Sequence, residues 1–90
     1  MKVNVCRLKT PLYECIKYDG KNKTEIIAFC GTDNIVISKN GIHLITADKE
    51  EIKINPGDYI VSEMETDKLY LVDPITYNRK YELITTVERT

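Results

Sequence analysis

Four tyrosines, Tyr59, Tyr70, Tyr77 and Tyr81, fall in one stretch of the chain beside Lys68, Arg79 and Lys80. Tyrosine offers a large, rigid contact area at small entropic cost, and arginine adds planar hydrogen bonding, so the set suits an interface. It suits equally a base-stacking pocket with phosphate-binding cations on its rim. These seven residues are the candidate binding surface. The competing reading is structural: Tyr59 and Tyr70 cap the end of a barrel, and Tyr81 packs beneath its sheet.

Other reactive groups point to less. Glu14, Glu63, Glu65 and Asp67 have the chemistry for acid–base work as a pair, but residues 63–67 read better as a solvated hairpin tip. Cys15 or Cys30 would gain a base if the fold brought it to His43, the only histidine. A lone histidine on a strand is more often a half-exposed spacer. No phosphate-cradling glycine loop, GxSxG elbow or metal-ligand spacing occurs in the sequence. Cys6, Cys15 and Cys30 are three cysteines without a CxxC pair, which is a poor disulfide framework and a poor zinc site. Each lies in an apolar run and reads as a small buried hydrophobe. The expectation is a protein that is not an enzyme and holds no metal or cofactor.

Ninety residues, 42% hydrophobic and 30% charged, make one domain over 1–90 with a single modest core. A net charge of −1 opposes both a general nucleic-acid coat and an acidic DNA mimic, each of which needs a strong charge bias. Nucleic acid is therefore a disfavoured partner. No run approaches the roughly 20 apolar residues of a membrane span, and Asn4, Arg7 and Lys9 interrupt any signal-peptide core. The expected location is the cytoplasm.

The elements that must position these groups follow from period and punctuation. Val3, Val5 and Leu8 alternate with polar residues, so 2–9 reads as a strand, broken by Thr10-Pro11. Residues 13–18 form a second strand, with Tyr13, Cys15 and Lys17 on one face. Asp19-Gly20 turns the chain into a helix over 21–30. Asn22 or Thr24 is the expected cap, Ile26, Ile27, Phe29 and Cys30 form the apolar stripe, and Gly31 takes the left-handed position after it. Residues 34–38 and 42–46 read as a hairpin around Asn40-Gly41. Ile52 and Ile54 alternate in a strand over 51–55. Asn55-Pro56-Gly57-Asp58 is a turn in which Pro56 fixes φ and Gly57 takes positive φ. Strands at 59–61 and 69–72 continue what reads as one meander of about five strands from 34 to 72. Asp73-Pro74 starts a short helical turn over 74–80 that sets Tyr77 and Tyr81 on one face. A strand over 82–87 precedes a frayed end at 88–90. The fold class is α+β and mainly antiparallel β: a small rolled sheet or barrel of six or seven strands, a helix near 22–30 and a helical turn near 74–80. In so short a chain an exposed edge strand invites a second copy, so a homodimer or higher homo-oligomer is expected.

The runs PGDYIV, LYLVDP and ITYNRKYELI, with PLYECIKYDGKNKTEIIAFCG upstream, resemble a family of small uncharacterised phage and prophage proteins. That family's pattern is a Gly-Asp-aromatic-Ile strand, a strand ending near a proline, and a terminal aromatic-x-x-x-Tyr-Glu segment. These motifs are turns, strand cores and a cap, and carry no chemistry. The resemblance implies a phage-encoded binding module that interferes with a host process, antiviral defence first, inside the bacterial cytoplasm. It would act by blocking a host protein or by sequestering a small nucleotide signal, with Tyr77, Arg79 and Lys80 stacking on bases and pairing with phosphates. The alternatives are a virion structural or assembly accessory or phage regulator, and a single-stranded nucleic-acid binder on an OB-like barrel.

Overall fold

The computed structural model describes residues 1–7 and 12–88. In chain order it has β1 (Lys2–Arg7), β2 (Leu12–Lys17), α1 (Lys23–Cys30), a 3-10 turn (Thr32–Asn34), β3 (Ile35–Ser38) and β4 (Gly41–Ile45). These are followed by β5 (Glu51–Lys53), β6 (Tyr59–Glu63), β7 (Leu69–Val72), α2 (Pro74–Lys80) and β8 (Glu82–Glu88). Five strands form one antiparallel sheet in the order β7-β6-β2-β1-β8, and β3-β4-β5 form a second. The mainly antiparallel α+β architecture stands, with eight strands among the described residues. The proposed break at Thr10-Pro11, Leu8 and Lys9 of the first strand, and the last two residues of the frayed end lie outside the described residues.

The five-stranded sheet is covered on both faces, and the period-2 alternation of its strands sorts the side chains. Val3, Ile16, Ile60 and Leu69 face one way, where they meet Ile26, Phe29 and Cys30 of α1 and Ile42, Leu44 and Ile54 of the small sheet. Cys6, Cys15, Val61 and Val72 face the other way, beneath Tyr77 of α2. Buried apolar area of this kind stabilises by about 25 cal/mol per Å² removed from water. Ile60, Val61 and Ser62 are buried in succession, so β6 needs cover on both faces, and the large sheet, with a layer on each side, supplies it.

That requirement corrects the single meander expected over 34–72. After β5 the chain leaves the small sheet at Asn55-Pro56-Gly57-Asp58 and joins the large one, where β6 pairs with β2 from Tyr13↔Glu63 to Lys17↔Tyr59. The turn itself has the expected form. Gly57 has φ +100°, Asp58 N–H donates to Asn55 O at 2.9 Å, and Asn55 N–H donates to Asp58 Oδ2 at 2.9 Å.

Smaller corrections have local causes. Asn22 occupies the N-cap position of α1 but makes no side-chain cap bond. Its amide instead closes the Asp19-Gly20 turn, accepting from Asp19 N–H and donating to Lys17 O. Gly31 has φ 88° and ψ 145°, a glycine conformation but not the left-handed helical one. The β3–β4 hairpin turns on Lys39-Asn40, because Ser38 pairs with Gly41, so Asn40-Gly41 sits one residue late. Ile52 is 37% exposed on the outer strand of its sheet while Ile54 is buried. Glu88 is paired with Lys2 in β8 rather than frayed.

The two edges of the large sheet differ. Ala47 N–H donates to Leu69 O at 3.2 Å, so the loop after β4 meets β7. No strand among the described residues lies outside β8. Its Leu83 is 58% exposed, Ile84 is exposed too, and Ile84 is the extra residue where Val5↔Thr85 steps to Cys6↔Leu83.

Candidate functional site

α2 is built from Asp73 onward. Pro74 occupies the first turn, where a missing N–H costs nothing. Asp73 Oδ1 accepts Thr76 N–H at 2.8 Å, and Oδ2 accepts the Thr76 hydroxyl at 2.9 Å. Arg79 and Lys80 stand in the last turn, where cations complement the helix dipole. The Thr76 N–H, and then its hydroxyl, hold the Asp73 carboxyl below the usual carboxylate range. A depressed pKa stabilises the fold above the unfolded value of about 3.9, and that contribution is lost as pH falls through the folded pKa. Denaturant midpoints of the wild type and of Asp73→Asn, measured from neutral pH to pH 3, test this. The wild type's advantage should shrink toward acid pH, and a gap that does not change with pH would show that the charge is irrelevant to the cap.

The helix drives Tyr77 into the sheet, where it is buried with Cys6, Cys15, Val61 and Val72. Its ring lies parallel to Tyr59 at 3.7 Å and 3°, and nearly parallel to Tyr81 at 5.3 Å and 11°. Tyr13 meets Tyr81 edge to face at 5.6 Å and 81°. Such aromatic pairs contribute about 0.5–1.5 kcal/mol beyond the area they bury. Below the ladder Cys15 Sγ lies 3.0 Å from Tyr77 Oη and 3.2 Å from Cys6 Sγ.

Burial, reinforced by the bond to Cys15, pushes the Tyr77 phenol well up. Burial also raises Tyr81, helped by Tyr13 nearby. Tyr13 is raised by burial and by Glu63, which stands opposite it on β6. These three rings therefore stay uncharged at neutral pH. The two thiols diverge. Their mutual hydrogen bond, with burial, raises Cys15, while the same bond outweighs burial and lowers Cys6.

Of the seven candidate residues, Tyr59, Tyr77 and Tyr81 come together in the ladder. Tyr70 shares its face of the sheet, paired with Val61. Arg79 and Lys80 are exposed on α2. Lys68 belongs elsewhere, in the β6–β7 turn, where it lines a cavity of about 200 Å³ with Thr46, Lys49 and Asp67. Glu65 and Asp67 lie exposed on that turn, as a solvated tip should. Cys15 is bonded to Cys6 and Tyr77 rather than to His43, whose Nδ1 is buried with no hydrogen-bond partner among the described residues. Tyr13 and the Cys6–Cys15 contact belong to the site without a signal of their own in the sequence. The alternation Tyr13-x-Cys15 gave their face, but only the β1–β2 register brings Cys6 to it.

Comparison with family models, with curated proteins and with solved structures gives no match for this chain. No helix among the described residues is long and apolar enough to cross a membrane.

Proposed function

We propose that this protein is a non-catalytic binding module that interferes with a bacterial host process, antiviral defence foremost, by docking on a host protein. The observation that carries the docking surface is the Tyr59–Tyr77–Tyr81 ladder and the exposed face of the helix above it. Ile75 is 70% exposed, and Arg79, four residues on, shares its side of α2. Tyr81 and the exposed Leu83 continue the same segment. Tyrosine, arginine and large aliphatics around a rigid centre are the composition of an interface core. A nucleotide signal is less well served. The Tyr77 ring is buried and already stacks with both Tyr59 and Tyr81, which leaves it little surface to offer a base. The phage setting draws its support from the likeness of PGDYIV and ITYNRKYELI to small phage and prophage proteins.

The test is expression in bacteria that carry a defence system, followed by phage challenge. The wild type should restore plaque formation. Ile75→Asp with Arg79→Glu should remove that protection and weaken capture of the host partner about tenfold or more, with the melting temperature lowered by no more than the few degrees that a reversed charge at a helix C-terminus costs. Solution mass, alone and with lysate, separates a host protein on α2 from a second copy paired along β8. Absence of both protection and a captured host protein across defended strains would sink the proposal.

A further inference from the structure

Beneath α2, two buried thiols meet on one face of the large sheet. Cys6 stands opposite Tyr13 and Cys15 opposite Asn4, so the two cysteines are diagonal neighbours across an antiparallel strand pair. Neither has any exposed surface. Diagonal positions stand about 7–8 Å apart, which is ordinarily too far to bridge. Here the sulfurs already span the gap, at 3.2 Å. A disulfide requires about 2.04 Å between them, so forming it draws the two sulfurs, and the strand positions that carry them, closer together. Beside Cys6 the register steps where β8 inserts Ile84, and such a bulge increases the local twist of the pair.

The surroundings select the product. Val61, Val72 and the tyrosine rings pack around the pair. Among the described residues no third histidine, cysteine or carboxylate joins the two thiols to complete a metal-ligand set. A disulfide is neutral and smaller than the two thiols it replaces.

We propose that Cys6 and Cys15 form a reversible dithiol–disulfide site whose oxidant is hydrogen peroxide or an organic hydroperoxide. In the resting pair the Cys6 thiol donates to Cys15 Sγ. When Cys6 loses its proton, the Cys15 S–H turns to donate to the thiolate, which is why Cys6 is the sulfur held low. The Cys6 thiolate attacks one peroxide oxygen. An S–O bond forms, the O–O bond breaks, and the departing hydroxide takes up the released proton as water. Cys15 sulfur then attacks the Cys6 sulfenic acid. The S–S bond forms, the S–O bond breaks, and the hydroxyl leaves with the Cys15 proton as a second water. One peroxide is reduced by two electrons for each disulfide formed.

Access is governed by α2. This seven-residue helix covers the thiols and is tied to Cys15 through Tyr77 Oη at 3.0 Å. Its local opening admits the oxidant, and the disulfide in turn takes away the Cys15 S–H, leaving its sulfur only as an acceptor for the Tyr77 hydroxyl.

The experiment treats the folded wild-type protein with hydrogen peroxide, removes the peroxide, alkylates the chain in urea, digests it without reduction and maps the peptides by mass spectrometry. The expected result is a Cys6–Cys15 cross-linked peptide that dithiothreitol reverses, with an intact mass lower by two hydrogens and Cys30 still alkylatable. Tyr77→Phe, which keeps the ring and removes the tie to Cys15, should form the same cross-link several-fold faster. Cys15→Ser should stop at a sulfenic acid on Cys6 that dimedone traps. Three alkylatable thiols surviving a treatment that cross-links the urea-unfolded chain would overturn the proposal. So would cross-links joining Cys30 as readily as the pair. The wild-type map decides by itself if the cysteine variant does not fold.

Discussion

Replacing Tyr77 by alanine should lower folding stability by about 3–5 kcal/mol, the range for removing a buried aromatic ring. For a domain of this size, that is a fall in melting temperature of more than about 12 °C. Three losses coincide at this one residue. The ring is the middle of the ladder, so its removal breaks the contacts with both Tyr59 and Tyr81. It is the buried side chain of α2, and a helix of seven residues does not persist without packing. Its hydroxyl is also the partner of Cys15 Sγ. Tyr77→Phe separates these contributions, because it keeps the ring and removes only the hydroxyl. That variant should cost about 1 kcal/mol, the usual net value of one hydrogen bond. Denaturant titrations of the two variants give the comparison. An alanine variant no less stable than the phenylalanine one would mean that the ring does not hold the helix to the sheet.

What was legible in the sequence was local. Asp73-Pro74 announces α2 because the cap, the proline and the first turn lie within four residues. Asn55-Pro56-Gly57-Asp58 announces its turn because the φ requirements belong to the residues themselves. The alternation in residues 13–18 gave the faces of β2 for the same reason. What was not legible depended on partners far along the chain. The separation of β3-β4-β5 from β6-β7 follows from β6 pairing with β2, more than forty residues earlier, and adjacent strands in sequence suggest a meander unless that pairing is known. Asn22 is a proper cap residue that found other partners, Asp19 and Lys17, a competition that capping preference alone does not resolve. The candidate surface was half legible. Tyr77 and Tyr81, the residue that caps the helix, are four apart, and the turn of α2 brings them together, whereas Tyr13 joins them only through tertiary packing. Lys68 is near them only in sequence, and the β6–β7 turn places it at the cavity instead.

Leu44→Ala should destabilise the whole domain, by about 2–5 kcal/mol, although Leu44 is on the opposite side of the large sheet from the ladder. Leu44 is fully buried at the centre of the small sheet, paired with Ile35 on one side and Ile52 on the other. Three short strands gain independent stability only by packing an apolar face on something else. Here that face meets Val3, Ile16 and Ile60 of the large sheet together with Phe29 of α1. Loss of the leucine therefore withdraws support from the inner strands β1, β2 and β6, whose other faces carry Cys6, Cys15 and Val61 beneath α2. The chain has no tryptophan and six tyrosines, and of those only Tyr18 packs against the core layer that holds Leu44. Tyrosine fluorescence thus reports chiefly on the ladder side, and far-UV circular dichroism on the whole. Coincident, equally lowered midpoints by the two probes mean that the two layers unfold as one unit. If the dichroism falls first while the tyrosine signal holds its wild-type midpoint, the small sheet is a separate unit. In that case the ladder and the thiol pair under it owe their order to the large sheet and α2 alone.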